Sequence, residues 1–209
     1  MYTALVTKKH ERAEPLPPDD RRRAIIEAVT PLLLEKGPAV TTREMAEAAG
    51  IAEGTIFRVF ADKPSVIHEA VKASMDPEPV RQALAAIPAT IPMDAQLEDA
   101  ARILLARSER VMVLFGMLRA ARPPSSGPPA GARQYVIEAN AATRAALTTL
   151  LQRHEDRLRI APERAAAAFQ GFVLASGHTL VAPNEKPTPS EMVSILLNGI
   201  AVPDHEVTA

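Results

Sequence analysis

The stretch "TTREMAEAAGIAEGTIFRVF", residues 41–60, decides how the rest of the chain is read. It divides at Gly50 into two short segments. Thr41-Thr42-Arg43-Glu44 has the form of a capping box, in which the Thr41 hydroxyl accepts from the Glu44 amide while the Glu44 carboxylate reaches back to the Thr41 amide. A helix opened there ends at Gly50, a residue that takes the positive φ of a tight turn. A second, shorter helix follows over about Glu53 to Phe60. Ala46 is small where two such helices would cross, and Met45, Ala49, Ile51 and Ile56 supply inward apolar side chains. These are the requirements of a helix-turn-helix, whose first helix lies across a DNA backbone while the second enters the major groove.

The flanking segments extend the helical pattern. "DDRRRAIIEAVTPLLLEKG", residues 19–37, places Ile25, Ile26, Val29, Leu32 and Leu33 on one face. Asp19 or Asp20 is its expected cap, Gly37 its expected end, and Pro31 is expected to kink it. "ADKPSVIHEAVKASM", residues 61–75, reads as a fourth helix with Asp62 as cap and Pro64 in the tolerant first turn. Beyond it come "VRQALAAI", a short helix or a continuation, and a longer apolar segment over 93–122 that reads as one or two helices, with a break expected near Ser108. "PPSSGPPAG" reads as a loop. An amphipathic helix is expected over 132–159 and another from Pro162. Thr188-Pro189-Ser190-Glu191 repeats the capping-box pattern before the last helix. No strand alternation appears, so the fold class is all-α, with about nine helices.

Composition bounds the function. The 209-residue chain has 47% apolar and 3% aromatic residues and no Trp, so alanine and leucine carry the core. The formal charge is −1, and residues 1–75 hold eleven Lys/Arg against eleven Asp/Glu. Any grip on nucleic acid must come from where charges sit, not from their sum. The absence of cysteine excludes disulfides and thiolate metal sites and fits a reducing compartment. With no signal-peptide pattern and no apolar run long enough to span a bilayer, the expectation is a soluble cytoplasmic protein with no membrane partner. The carboxylate pairs Glu98/Asp99 and Glu155/Asp156 are adjacent in sequence and so point apart on a helix. No nucleophile elbow, phosphate loop or His-Glu-x-x-His spacing occurs, and neither catalysis nor a cofactor is expected.

From about Arg21 to Val71 the chain resembles the DNA-binding domain of the TetR family of transcriptional regulators. The residues that carry the resemblance are "TTREMAEAAGIAEGTIFRVFADKPSVI", preceded by "LLLEKG". Residues 1–18, with three cations and three prolines, read as a flexible arm, and 204–209 as a flexible tail. The resemblance implies a DNA-binding head over 19–75 and an effector-binding and dimerisation domain over 76–203. It implies a homodimer joined through the last two helices, a double-stranded operator and a small-molecule effector. Thr42 and Arg43 sit where the family touches phosphates and base edges. Gly54 and Thr55 open the recognition helix, Phe57 and Arg58 lie on it, and Lys63 sits where the family holds a phosphate. Arg43 is the candidate for reading a guanine, since its guanidinium fork matches O6 and N7.

Three positions depart from the family pattern. Ala52 stands where Ser often caps the recognition helix, Phe57 where Tyr is common, and Val59 where His is common. The lost phosphate contacts predict weaker anchoring, which Lys8, Lys9, Arg12 and Arg21 to Arg23 are placed to offset. Candidates for the effector site are Met112, Phe115, Met117, Tyr135, Asn140, Phe169, Phe172 and His178, together with Gln170. The scarcity of charge on those apolar faces favours an apolar or neutral effector. Small and apolar residues suited to close helix packing between subunits are Ala168, Phe172, Ala175, Met192, Ile195, Leu196 and Gly199. The expected function is a repressor released from a pseudo-palindromic operator by its effector. The alternative is a regulator acting through a protein partner, with weakened or lost DNA binding.

Overall fold

A computed structural model describes residues 17–121, 132–177 and 186–198. All its regular elements are helical: α1 Pro18–Lys36, α2 Thr42–Ala48, α3 Glu53–Val59, α4 Lys63–Ser74, α5 Glu78–Ala85, α6 Met93–Ala120, α7 Ala132–Gln152, α8 Pro162–Gly177 and α9 Pro189–Asn198. Short 3₁₀ turns at Gly37–Ala39 and Glu155–Arg157 follow α1 and α7. The all-α expectation holds. Among the described residues no helix is long and apolar enough to cross a membrane.

Local chemistry accounts for most boundaries. Asp19 and Asp20 lie in the first turn of α1 rather than capping it, where their charge complements the helix dipole. Gly37 ends α1 at φ 61°. The helix continues through exposed Pro31, and the Thr30 hydroxyl donates to the Ile26 carbonyl at 2.6 Å. Asp62 caps α4 by accepting from the Ser65 amide at 2.8 Å. Before α9, Thr188 and Glu191 form the expected reciprocal pair, at 2.7 and 3.2 Å.

Two further expectations fail. The helix over 93–122 does not break at Ser108; α6 runs unbroken for 28 residues. A single serine costs only a few tenths of a kcal/mol in a helix, and the apolar face on either side, Leu104 and Leu114, keeps α6 packed through it. In the other direction, α7 stops at Gln152 rather than near residue 159, because Arg153–Arg157 offers no apolar spacing to bury. The Pro/Gly loop, residues 1–16 of the N-terminal arm, His178 and Gly199 lie outside the described residues, and Pro18, expected in the arm, opens α1.

The buried side chains form two cores. The first gathers Ile25, Val29, Leu33, Met45, Ile56, Phe60 and Ile67 from α1 to α4, and adds Leu114, Met117 and Leu118 from the end of α6. The second joins α5, the first half of α6, α7, α8 and α9 around Leu97, Leu104, Leu147, Leu150, Phe169 and Val173. α6 therefore contributes to both, and it packs against α4 at one end and α8 and α9 at the other.

Candidate nucleic-acid interface

The helix pair at 41–60 is built as its residues dictate. The Glu44 amide donates to the Thr41 hydroxyl at 3.2 Å, and the Thr41 amide donates to the Glu44 carboxylate at 2.8 Å. Lys36, on the last turn of α1, adds a bond to the same carboxylate at 2.8 Å. The Lys36 bond, and then the two Thr41 bonds, lower the Glu44 carboxyl from 4.5 to about 2. A carboxyl whose folded value is depressed stabilises fully above its unfolded value and loses that contribution as pH falls through the folded one. The head should therefore weaken as pH drops from about 4.5 to about 2. Thermal unfolding across that range checks this: Glu44→Gln should flatten the acid slope, and an unchanged slope would exclude Glu44 as its source.

At the far end of α2, the Ile51 amide donates to the Ala46 carbonyl at 3.0 Å and the Gly50 amide to the Glu47 carbonyl at 3.1 Å. This paired closure requires a left-handed residue between the helices, and Gly50 supplies it at φ 64°. Any residue with a Cβ would be strained there by roughly 1–2 kcal/mol. The corner fixes how α3 leaves α2. Ala52, at the start of α3, offers no side-chain cap, as its identity implies.

α3 has a closed and an open side. Ile56 is 0% and Phe60 2% exposed, facing the first core, and Val59 packs against the same core. Glu53, Gly54, Phe57 and Arg58 are exposed on the other side, and Thr55 is half-buried. A Cβ at Gly54 would meet nothing, so the surface there is open to close backbone approach. On α2, Thr42 is half-buried, and exposed Arg43 pairs with Glu47 at 3.0 Å. Such a solvated pair is worth little and exchanges readily for another partner. Lys63 has a different local role: its ammonium donates to the Pro38 carbonyl at 2.7 Å, tying α4 to the turn after α1. Of the arginines before it, Arg22 lies over the Phe60 ring at 4.8 Å and Arg23 pairs with Asp20 at 3.5 Å. Glu53, a carboxylate on the open side of α3, is a candidate contact that the sequence reading passed over. The four-residue spacing to Phe57 was the available signal.

Among the described residues, the effector candidates divide between the two cores. Met117 is buried in the first core, and Phe115 and Tyr135 pack against it, whereas Met112 is 43% exposed. Phe169 is buried in the second core with Phe172 beside it. The reason is the continuity of α6, which carries its residues 112–117 to the head end while α8 packs along its other half. Asn140 and Gln170 do meet: the Gln170 amide donates to the Asn140 carbonyl at 3.1 Å and accepts from Arg144 at 3.2 Å. The open groove between α1, α4 and the end of α6 is lined by Arg22, Asp62, His68 and Leu118, none of them an effector candidate.

A polar clamp with no local sequence signal lies at the junction of the two cores. Arg107 of α6 donates to the Met75 carbonyl, just past α4, at 2.8 Å and to the Thr143 hydroxyl of α7 at 2.9 Å. The Tyr135 hydroxyl of α7 donates to the Lys72 carbonyl in the last turn of α4 at 3.1 Å. Burial lowers the Arg107 pKa and raises that of Tyr135. Donors from two helices thus hold the carbonyl end of α4, the part that helix geometry leaves unbonded.

On the surface of α8, Ala168 and Ala175 are exposed and Phe172 half-buried. On α9, Ile195 and Leu196 are half-buried, whereas Met192 is 1% exposed and belongs to its own subunit's core.

Residues 25–70 match the family model described as bacterial regulatory proteins, tetR family. Several solved structures share the architecture. A protein of Mesorhizobium loti classed with the TetR-family transcriptional regulators is 20% identical, with 88% of this chain and 96% of that chain covered at a TM-score of 0.58. The regulator FadR of Bacillus subtilis, solved with stearoyl-CoA, is 18% identical over 86% of this chain and 99% of its own, at 0.51. The TetR-like regulator LfrR of Mycobacterium smegmatis, solved with proflavine, is 18% identical over 89% and 99%, at 0.52. At these identities the likeness is one of fold. Residues 25–70 thus carry a domain of the kind described for bacterial regulatory proteins of the tetR family, set on an all-α fold shared with these solved regulators.

Proposed function

We propose that this chain is a cytoplasmic, dimeric repressor that leaves a pseudo-palindromic operator when a small apolar or neutral effector binds its C-terminal domain. The observation that carries this reading is the open side of α3, set at a fixed angle by the Gly50 corner and lined by Gly54, Phe57 and Arg58. A two-fold dimer would set two such helices about 34–36 Å apart, one DNA turn. Ala168 and Ala175 on α8 and the half-buried Ile195 and Leu196 on α9 are the surfaces offered for that pairing. Thr42, Arg43, Thr55 and Lys63 complete the proposed DNA contacts, Lys63 after releasing the Pro38 carbonyl. The neighbours solved with stearoyl-CoA and proflavine support a small-molecule effector.

The test is a mobility-shift assay on the DNA flanking the protein's own gene. Specific binding should fall at least about tenfold between 50 and 200 mM salt, as expected when even a few phosphates are contacted. Arg43→Ala should lose about 1–3 kcal/mol of base preference at one position of each half-site while the dimer stays folded. Unchanged affinity and preference would remove Arg43 from the readout. The uncapped start of α3 and the engagement of Lys63 with Pro38 favour a second reading, regulation through a protein partner. Binding to such a partner with no salt-sensitive DNA complex would decide for it.

A further inference from the structure

Phe57 is 51% exposed in the middle of α3, on the side turned away from the core. It cannot rotate inward, because Ile56 and Phe60 already fill the inward positions of the same helix. A phenyl ring has no donor for a phosphate oxygen. Glu53, one helical turn earlier on the same side, is exposed and repels phosphate. Phe57 and Glu53 together therefore suit base edges and not the backbone. The apolar group that a base edge presents in the major groove is the thymine 5-methyl.

We infer that Phe57 packs on a thymine 5-methyl group in each half-site and makes a T·A pair preferred at that position of the operator. The inference rests on the DNA-binding reading above and adds to it the chemical group that is read. The contact is hydrophobic, so it contributes to sequence preference and nothing to salt dependence.

The experiment uses the full chain. Duplexes are first selected by the wild-type protein from a randomised pool, and each thymine of the selected site is then replaced singly by deoxyuridine, which removes the 5-methyl and leaves base pairing intact. One thymine per half-site should be sensitive, with affinity about three- to fivefold lower, the loss expected for one buried methyl. The other thymines should change less than about twofold, below the effect of a single buried methyl. Phe57→Ala should bind the thymine and deoxyuridine duplexes equally and keep the wild-type salt slope, since no charge is removed. Phe57→Leu, which retains an apolar side chain, should keep part of the discrimination. The exposed position leaves no core to disturb, and helical circular dichroism verifies folding of both variants. A site indifferent to deoxyuridine at every thymine overturns the inference, as does an undiminished deoxyuridine penalty in Phe57→Ala. If the wild-type protein selects no duplex at all, the DNA-binding reading fails first, and that result is seen before any thymine is replaced.

Discussion

Phe60→Ala should destabilise the head by about 3–5 kcal/mol, the loss typical of removing a fully buried aromatic ring. Phe60 follows the last residue of α3, its amide closes the helix on the Ile56 carbonyl at 2.8 Å, and its ring lies in the first core beneath the Arg22 guanidinium. Truncation would leave a cavity where α1, α3 and α4 converge, and α3 would lose the contact that fixes its end. Urea denaturation followed by circular dichroism measures the loss, and DNA affinity should fall with it. Arg22→Ala, which removes only the cation above the ring, should cost about 0.5–1 kcal/mol. A Phe60→Ala protein that unfolds within about 1 kcal/mol of wild type would show that the cavity collapses and that the ring is not what holds α3.

The second large effect is expected from Arg107→Met. Methionine keeps apolar bulk but leaves the Met75 carbonyl without its side-chain donor and removes one bond from the Thr143 hydroxyl, which still donates to the Ala139 carbonyl. A buried polar group left unpaired costs about 1–3 kcal/mol. Relief of the desolvated guanidinium offsets part of this, so the net loss should lie toward the lower end. Tyr135→Phe, which removes a single neutral bond to Lys72, should cost about 0.5–1.5 kcal/mol. The distinguishing readout is amide exchange. The amides at the end of α4 should exchange faster in Arg107→Met while those of α7 and α8 do not. Equal protection across all three would mean that the clamp is dispensable.

The head was legible from sequence because its signals are local. The capping box spans four residues, and the glycine corner is set by bonds between neighbours, so the residue types alone state the geometry. What the sequence does not display depends on distant chain segments. Lys63 reaches Pro38 across 25 positions, and Arg107 reaches Met75 and Thr143 across 32 and 36. No local pattern announces such partners. Polar or adaptable residues on apolar helices carry no local mark of which core each joins. Met117 and Phe169 are alike in this and lie in different cores. Met192 fits an apolar stripe but turns into its own subunit. Ser108 shows the same weakness in reverse: a weak helix former invites a break that packing on both sides prevents.

α6 is about 42 Å long at the usual rise per residue, and its last turns complete the interior of the N-terminal unit through Leu114, Met117 and Leu118. Hybrid regulators that join the first 75 residues of this chain to a foreign sensor would inherit a different surface at those three places. Such a graft would leave Ile67, Ala70 and Val71 of α4 facing side chains not shaped for them. A transplant that takes those three α6 positions along with the head should stay monodisperse where the plain fusion aggregates.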